Sequence, residues 1–298
     1  MGAHTFSVEG NIDSAEAVSS KGDDMAARVA RLDSVCKKYA ESFEDDTHDN
    51  RTNSDHSNCT VAVCCLHLMT KHNFSFCTVP KAASTSLRTL YLQVEYGKNP
   101  VDNPEATFVD FEHRTRAVFP SAYWRDRLGS SYTKLVIVRH PFERLVSAYV
   151  HRVRTTMPST EGATRMYRRG FVGHGPNGTF TFREFVENIL QDPVSDWDVH
   201  WAPYTTRCRP CSVRYNMIVK VETLDKDMEH VLPHIGLTGW KFPIRNVHSP
   251  TQERAAQESF RRHFSELSRQ QVLQLYAIYV YDFELFGYRL QGYSSPVM

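Results

Sequence analysis

Two short stretches, each an apolar run that breaks at a proline beside a cation, constrain the fold of this chain more than any other feature. The first is Phe74-Ser75-Phe76-Cys77-Thr78-Val79-Pro80-Lys81-Ala82-Ala83-Ser84-Thr85-Ser86-Leu87-Arg88. The second is Lys134-Leu135-Val136-Ile137-Val138-Arg139-His140-Pro141-Phe142-Glu143-Arg144-Leu145-Val146-Ser147-Ala148-Tyr149. The apolar runs have the length and β-favouring composition of single strands. Pro80 cannot donate to a ladder and so ends its strand, while Pro141 suits a first helical turn. Helical spacing follows in both, through Leu87, Leu90 and Tyr91 in one and Phe142, Leu145 and Tyr149 in the other. Strand, tight turn and helix, twice over, predict an α/β domain with a central parallel sheet flanked by helices. Two such turns on neighbouring strands would make a bed for a ligand with phosphates at both ends, which points to a nucleotide-using transferase.

The turn residues carry the chemistry. A helix starting near Ser84 aims free backbone N–H groups and its positive dipole end at the turn. Lys81 adds a mobile charge, and Ser84, Thr85 and Ser86 add hydroxyl donors around Pro80, Ala82 and Ala83. Taken alone this equally fits an ordinary strand-to-helix turn capped by serine. It is not a Walker A loop, because the glycines are absent and the lysine precedes the hydroxyls. Arg139 falls at the carboxyl end of its strand, where open α/β sheets bind ligands. Otherwise Arg139 is a salt-bridge partner and Ser147, with Arg144 and His151 on the face away from the apolar stripe, points to solvent.

Together the two stretches resemble the 5′-phosphosulfate loop and the 3′-phosphate motif of sulfotransferases that use 3′-phosphoadenosine 5′-phosphosulfate (PAPS). The similarity extends over most of the chain and favours the Golgi carbohydrate sulfotransferases, closest to the chondroitin/dermatan 4-O branch. Cys36-Lys37-Lys38-Tyr39-Ala40, His200-Trp201, Cys208-Arg209-Pro210-Cys211, Val219-Lys220-Val221-Glu222-Thr223-Leu224, Phe242-Pro243 and the stretch from Tyr279 to Tyr288 all resemble segments of that branch. Before about Arg28 nothing aligns. Two departures bear on the acceptor. The branch has Pro-Lys-Val-Ala-Cys-Thr-Asn-Trp-Lys-Arg where this chain has Pro80-Lys81-Ala82-Ala83-Ser84-Thr85-Ser86-Leu87-Arg88, and the Ala-Ser-Thr-Ser version is closer to uronyl 2-O-sulfotransferases. His140 stands where the branch has an acidic residue.

The resemblance implies transfer of a sulfuryl group from PAPS to a glycan hydroxyl, with the 4-OH of GalNAc in chondroitin or dermatan as first choice. A uronyl 2-O or other glycan sulfotransferase, or an inactive glycan-binding module, is the alternative. It also implies the P-loop-like PAPS-binding fold, and no metal or nucleic-acid partner. Lys81 would stabilise the leaving phosphate with help from Ser84, Thr85 and Ser86. Arg139 and Ser147 would hold the 3′-phosphate. Deprotonating the acceptor calls for a base that titrates near neutrality, hence histidine. His113 leads, because it lies between the two motifs where related 2-O enzymes carry theirs, beside Asp110 and Glu112. Its plainer reading is a surface histidine. His200 is second, with a structural histidine beside Trp201 as its plainer reading. A nucleotide kinase is excluded by the missing Walker A loop and the lack of a magnesium-binding carboxylate after a strand.

At 298 residues and 41% hydrophobic, the chain can bury one sizeable core. Residues 57–298 read as one catalytic domain, and residues 1–56 as a polar, stem-like segment with one helix from Met25 to Tyr39. A net charge of +1 says nothing of acidic partners. Arg144, Arg152, Arg154, Arg165, Arg168 and Arg169 nevertheless cluster after the second motif, as a basic cleft for an anionic glycosaminoglycan would require. The plainer reading is a solvated loop over residues 155–178. Among the 7 cysteines, Cys208-Arg209-Pro210-Cys211 without a second pair is weak evidence for zinc. With sequons at Asn50, Asn58, Asn73 and Asn177, the cysteines favour the secretory pathway and a disulfide, Cys208–Cys211 or longer in range. Asn73 abuts the first strand, which argues against its glycosylation. Relatives sit in the Golgi lumen on an N-terminal membrane anchor. Neither a span nor a signal peptide is visible here, because the run from Val61 to Met69 is too short and contains His67.

Overall fold

The computed structural model describes residues 24–43, 66–97, 107, 109–111, 132–154, 173–243 and 250–290. At its centre stands a sheet of order β1-β2-β3-β4, formed by Leu66–Met69, Phe74–Cys77, Thr133–Val138 and Met217–Lys220. Strands β2, β3 and β4 run parallel, with Phe76 opposite Leu135 and Val136 opposite Ile218. Strand β1 is antiparallel to β2. It extends the expected parallel sheet into a mixed one. The 3-10 turn Thr70–His72 and a left-handed Asn73 (φ 46°) fold the short apolar run 66–69 back along β2.

Helices alternate with and follow these strands along the chain. Met25–Lys38 is α1, Ser84–Tyr96 α2, Pro141–Tyr149 α3, Phe182–Ile189 α4, Tyr204–Cys208 α5, Pro210–Val213 α6, Leu224–His234 α7, Pro250–Ser265 α8 and Arg269–Phe286 α9. The helix expected from the spacing of Phe142, Leu145 and Tyr149 is α-helical to Tyr149 and continues as a π-helical turn, Val150–Arg154. Such turns are rare and concentrate at functional sites.

Strand alternation divides the core. Phe74, Phe76, Leu135, Ile137 and Val219 pack on one face of the sheet with α2 and α7. Leu66, Leu68, Cys77, Val136, Val138 and Ile218 pack on the other with α1, α5 and α9. A third cluster joins α3, α4, α8 and α9 beside the sheet. Helix α1 is bound into this fold. Its buried Arg28 pairs with Asp227 and donates to the Ile218 carbonyl, and Tyr39, just beyond the helix, donates to Glu284 of α9.

The disulfides correct one of the two expected pairings. Cys208 bonds Cys77 at the end of β2, and Cys211 bonds Cys36 of α1. Cys208 and Cys211 therefore do not bond each other, and neither thiol is free for zinc. The left-handed Arg209 (φ 40°) turns the chain between α5 and α6, so the two cysteines serve different partners. Each bridge closes a loop of more than a hundred residues, with sequence separations of 131 and 175. Cross-links of that reach restrict the unfolded chain strongly.

Candidate functional site

Parallel neighbours β2 and β3 end on the same edge of the sheet, so the turns that follow them lie side by side. After β2 the chain passes through Thr78 and the buried Val79 and Pro80, then takes two left-handed residues in three positions, Lys81 (φ 67°) and Ala83 (φ 54°). Neither is glycine, so the backbone here stores strain of about 1–2 kcal/mol per residue. Alternating left-handed residues are the means by which successive amides form anion-binding nests. Ala82 N–H is used internally, donating to the Val79 carbonyl at 3.1 Å. Helix α2 then starts at Ser84 with Ala83 at its N-cap, which supplies no side-chain cap. The N-cap side chain therefore takes up none of the first-turn amides. Lys81 Nζ has no hydrogen-bond partner among the described residues, and burial pushes its pKa down to about 8. The guanidinium groups of Arg139 and Arg152 act in the same direction.

The turn after β3 is built differently. Arg139 N–H donates to the Tyr204 hydroxyl at 2.8 Å, and His140 N–H donates to Glu222 Oε1 at 3.0 Å. His140 is the N-cap of α3: its Nδ1 accepts from Phe142 N–H at 3.3 Å, and its Nε2 lies 2.9 Å from the Arg289 carbonyl. An accepting Nδ1 and a donating Nε2–H define the neutral tautomer, and burial lowers the ring's pKa accordingly. His140 thus fills the acidic residue's place as a neutral cap. The Arg139 side chain meets Glu143 at 3.5 Å through Nε and stacks over Phe260, 5.0 Å from the ring centroid. Its terminal nitrogens make no hydrogen bond or ion pair among the described residues. Ser147 lies two turns along α3 and is half-buried.

A third segment closes the arrangement. His200 Nδ1 lies 2.6 Å from Asp198 Oδ1, and the same oxygen accepts from His200 N–H at 2.8 Å. Burial pushes Asp198 up, but its hydrogen bonds and charge interaction with His200 pull it below its usual value. The carboxylate is therefore ionised, His200 Nδ1 carries the proton, and Nε2 presents a lone pair. Burial lowers the His200 pKa; Asp198 opposes that shift, while Arg152 and Lys81 reinforce it. Lys81, Arg139, Arg152, Asp198 and His200 thus form one electrostatic group.

The loop bearing His200 is held from behind. Arg144 is fully buried, donates to the carbonyls of His200 (3.1 Å), Trp201 and Ala202, and lies 4.6 Å over the Tyr204 ring. This overturns its expected place in a basic cleft: the guanidinium faces the core and organises a loop. Asp282 of α9 accepts from the amides of Tyr204 (2.8 Å) and Thr205 (3.1 Å), and Tyr279 donates to Trp201. Burial raises the Asp282 pKa to about 6. The segment from Tyr279 to Tyr288 is therefore the buttress of the His200 loop.

Of the residues singled out from sequence, Pro80, Lys81, Ala82, Ala83, Ser84, Thr85, Ser86, Arg139 and Ser147 are grouped on two adjacent turns and helix starts. His200 joins them. His113 lies outside the described residues, as do Arg165, Arg168 and Arg169. Arg152 is half-buried and Arg154 exposed. Asp198 and the specific part of Arg152 were missed. An Asp-x-His spacing is too common to signal a pair, and only the fold brings Arg152 back to Lys81.

Comparison with known proteins agrees with this arrangement. The chain is 30% identical over 245 residues to carbohydrate sulfotransferase 11 of Mus musculus, covering 74% of this chain and 66% of the relative. It is 30% identical over 250 residues to carbohydrate sulfotransferase 10 of Gallus gallus, covering 75% and 66%, and 29% identical over 240 residues to carbohydrate sulfotransferase 14 of Mus musculus, covering 76% and 60%. The chain therefore spans somewhat less than two thirds of the length of these relatives. No solved structure matches it. Residues 66–289, from the first strand to the segment that buttresses the His200 loop, match the model of the sulfotransferase family, and the chain belongs to that family.

Proposed function

We propose that the chain transfers a sulfuryl group from PAPS to a hydroxyl of a glycan. The observation that carries this is Lys81: a half-buried ammonium with no hydrogen-bond partner among the described residues, beside Arg139, Arg152 and a helix N-terminus without a side-chain cap. Such a cluster of positive charge is costly without an anion and is relieved by a bound one. The residues fit a donor with a phosphosulfate at one end and a 3′-phosphate at the other. When bound, the donor supplies an activated sulfate whose leaving group is a phosphate.

In this reading the first-turn amides and hydroxyls of Ser84, Thr85 and Ser86 hold the 5′ end, with Pro80, Ala82 and Ala83 shaping the turn. Lys81 neutralises charge on the leaving oxygen. Arg139, with Ser147 further along α3, orients the 3′-phosphate. His200 takes the acceptor's proton at Nε2, and Asp198 holds its tautomer. The hydrogen-bonded His200–Asp198 pair supports His200 over His113, whose substitution is the control. The scheme needs no metal. Residues 57–298 serve as the catalytic domain, with α1 tied onto it.

We take the acceptor to be an anionic glycosaminoglycan, GalNAc 4-OH of chondroitin or dermatan first. The Ala82-Ala83-Ser84-Thr85-Ser86 turn favours a uronyl 2-O acceptor as second choice. The compartment we propose is the Golgi lumen, where the two disulfides are stable. Among the described residues no helix is long and apolar enough to cross a membrane, so a membrane anchor would lie elsewhere.

The test is incubation with radiolabelled PAPS and a panel of desulfated chondroitin, dermatan, heparosan and neutral glycans, followed by disaccharide mapping. Label on one polymer identifies class and acceptor together. Binding of the desulfated donor product without label on any polymer would indicate the inactive module. No donor binding would refute the proposal.

A further inference from the structure

Ser75 sits in the middle of β2, fully buried, and its hydroxyl has no hydrogen-bond partner among the described residues. Phe74 and Phe76 face one side of the sheet, so Ser75 faces the other, with Cys77, towards the cluster of Leu66, Leu68, Val136 and Ile218. A buried orphan hydroxyl weakens a fold, and alanine would fill the place without loss. Among the described residues nothing gives this hydroxyl a task. The chain before folding does, because Asn73-Phe74-Ser75 is a glycosylation sequon whose third residue must carry a hydroxyl.

Asn73 meets the other requirement. It occupies the left-handed position between the Thr70–His72 turn and β2, is exposed, and uses only its backbone, donating to the Thr70 carbonyl (3.5 Å) and accepting from Thr133 N–H (2.9 Å). Its side-chain amide makes no hydrogen bond among the described residues. It also lies at the amino end of β2, whereas the Lys81 turn follows the carboxyl end. The strand Phe74–Cys77 separates them by about 13 Å, so a glycan there leaves the donor site open. Proximity to the strand, which on sequence grounds spoke against modification, is harmless because the turn points the residue outward.

We propose that Asn73 carries an N-linked glycan, added before β2 closes over Ser75. The Asn73 Nδ2 bonds to the anomeric carbon of an oligosaccharide carried on a lipid diphosphate. The carbon–oxygen bond to the diphosphate breaks, the amide loses one proton, and the lipid diphosphate leaves. This rests on the lumenal compartment proposed above.

The test uses the full chain isolated from cells that make it. Peptides are analysed after enzymatic deglycosylation in heavy-oxygen water, alongside the thiol state of Cys36, Cys77, Cys208 and Cys211. The expected result is four oxidised cysteines and, in most molecules, Asn73 converted to an aspartate that carries the heavy oxygen. Both Asn73→Gln and Ser75→Ala should remove one glycan step on a gel, and Ser75→Ala should melt no lower than the enzymatically deglycosylated wild type. Oxidised cysteines with unmodified Asn73 would overturn the site and leave the compartment standing. Free thiols with no glycan at any sequon would overturn both. A Ser75→Ala protein that keeps its Asn73 glycan, or that unfolds, would show that the hydroxyl has another task and overturn the inference.

Discussion

The two strand–turn–helix units look alike in sequence and are opposite in structure. The unit after β3 is satisfied: His140 caps α3, Tyr204 and Glu222 take the turn amides, and Arg139 is braced by Glu143 and Phe260. The unit after β2 is less fully satisfied among the described residues. It has no side-chain cap, two left-handed non-glycine residues, and a lysine whose charged form is disfavoured. In the proposed reaction this difference separates anchoring from chemistry. A rigid, satisfied turn fixes where a donor lies, whereas a turn kept short of counter-charge gains most when a leaving group becomes negative.

This contrast can be broken by substitution. The largest effect belongs to Lys81→Ala, which should lower sulfate transfer about a thousand-fold while the free protein melts no lower than wild type, because a disfavoured buried charge has been removed. Transfer within a few-fold of wild type would take Lys81 out of the mechanism. His200→Ala should lower turnover by a few hundred-fold with donor affinity unchanged. If His113→Ala does so instead, the base has been misassigned. Arg139→Ala should act on binding rather than on the chemical step, weakening the donor product by about 1.5–3 kcal/mol in calorimetry; unchanged affinity would erase the distinction between the two turns.

The smallest effect is one of shape. In the proposed reaction His200 must be neutral, and burial lowers its pKa, so kcat/KM should fall only at pH below the range where an ordinary imidazole titrates. Lys81 must be protonated, and its pKa is lowered to about 8, so kcat/KM should also fall as pH rises past that value. Lys81→Arg should be slower but lose the alkaline limb, since guanidinium stays charged. An alkaline limb that persists in this variant would assign it to another group.

Most of the architecture was legible because strand and helix periodicity is local, and so was the placing of Lys81 near Arg139, since neighbouring parallel strands share an edge. What was not legible depends on tertiary placement. Strand β1 is a short apolar run that only its pairing with β2 identifies. Arg144 reads as one more arginine in a basic stretch until its three carbonyl partners appear. The pairing of Cys77 with Cys208 needs two elements 131 positions apart, and no spacing rule encodes it. Asp198 and Arg152 acquire meaning only when the loop after α4 and the π-helical turn after α3 meet at Lys81.

The most direct test of the central claim is calorimetric titration at pH 8 with 3′-phosphoadenosine 5′-phosphate, in buffers of differing ionisation enthalpy. Near its pKa of about 8, Lys81 is only partly protonated, and a bound phosphate must raise that pKa. The account predicts saturable binding with uptake of about half a proton, and loss of that uptake in Lys81→Ala. Failure to bind, or an uptake that survives in Lys81→Ala, would contradict it.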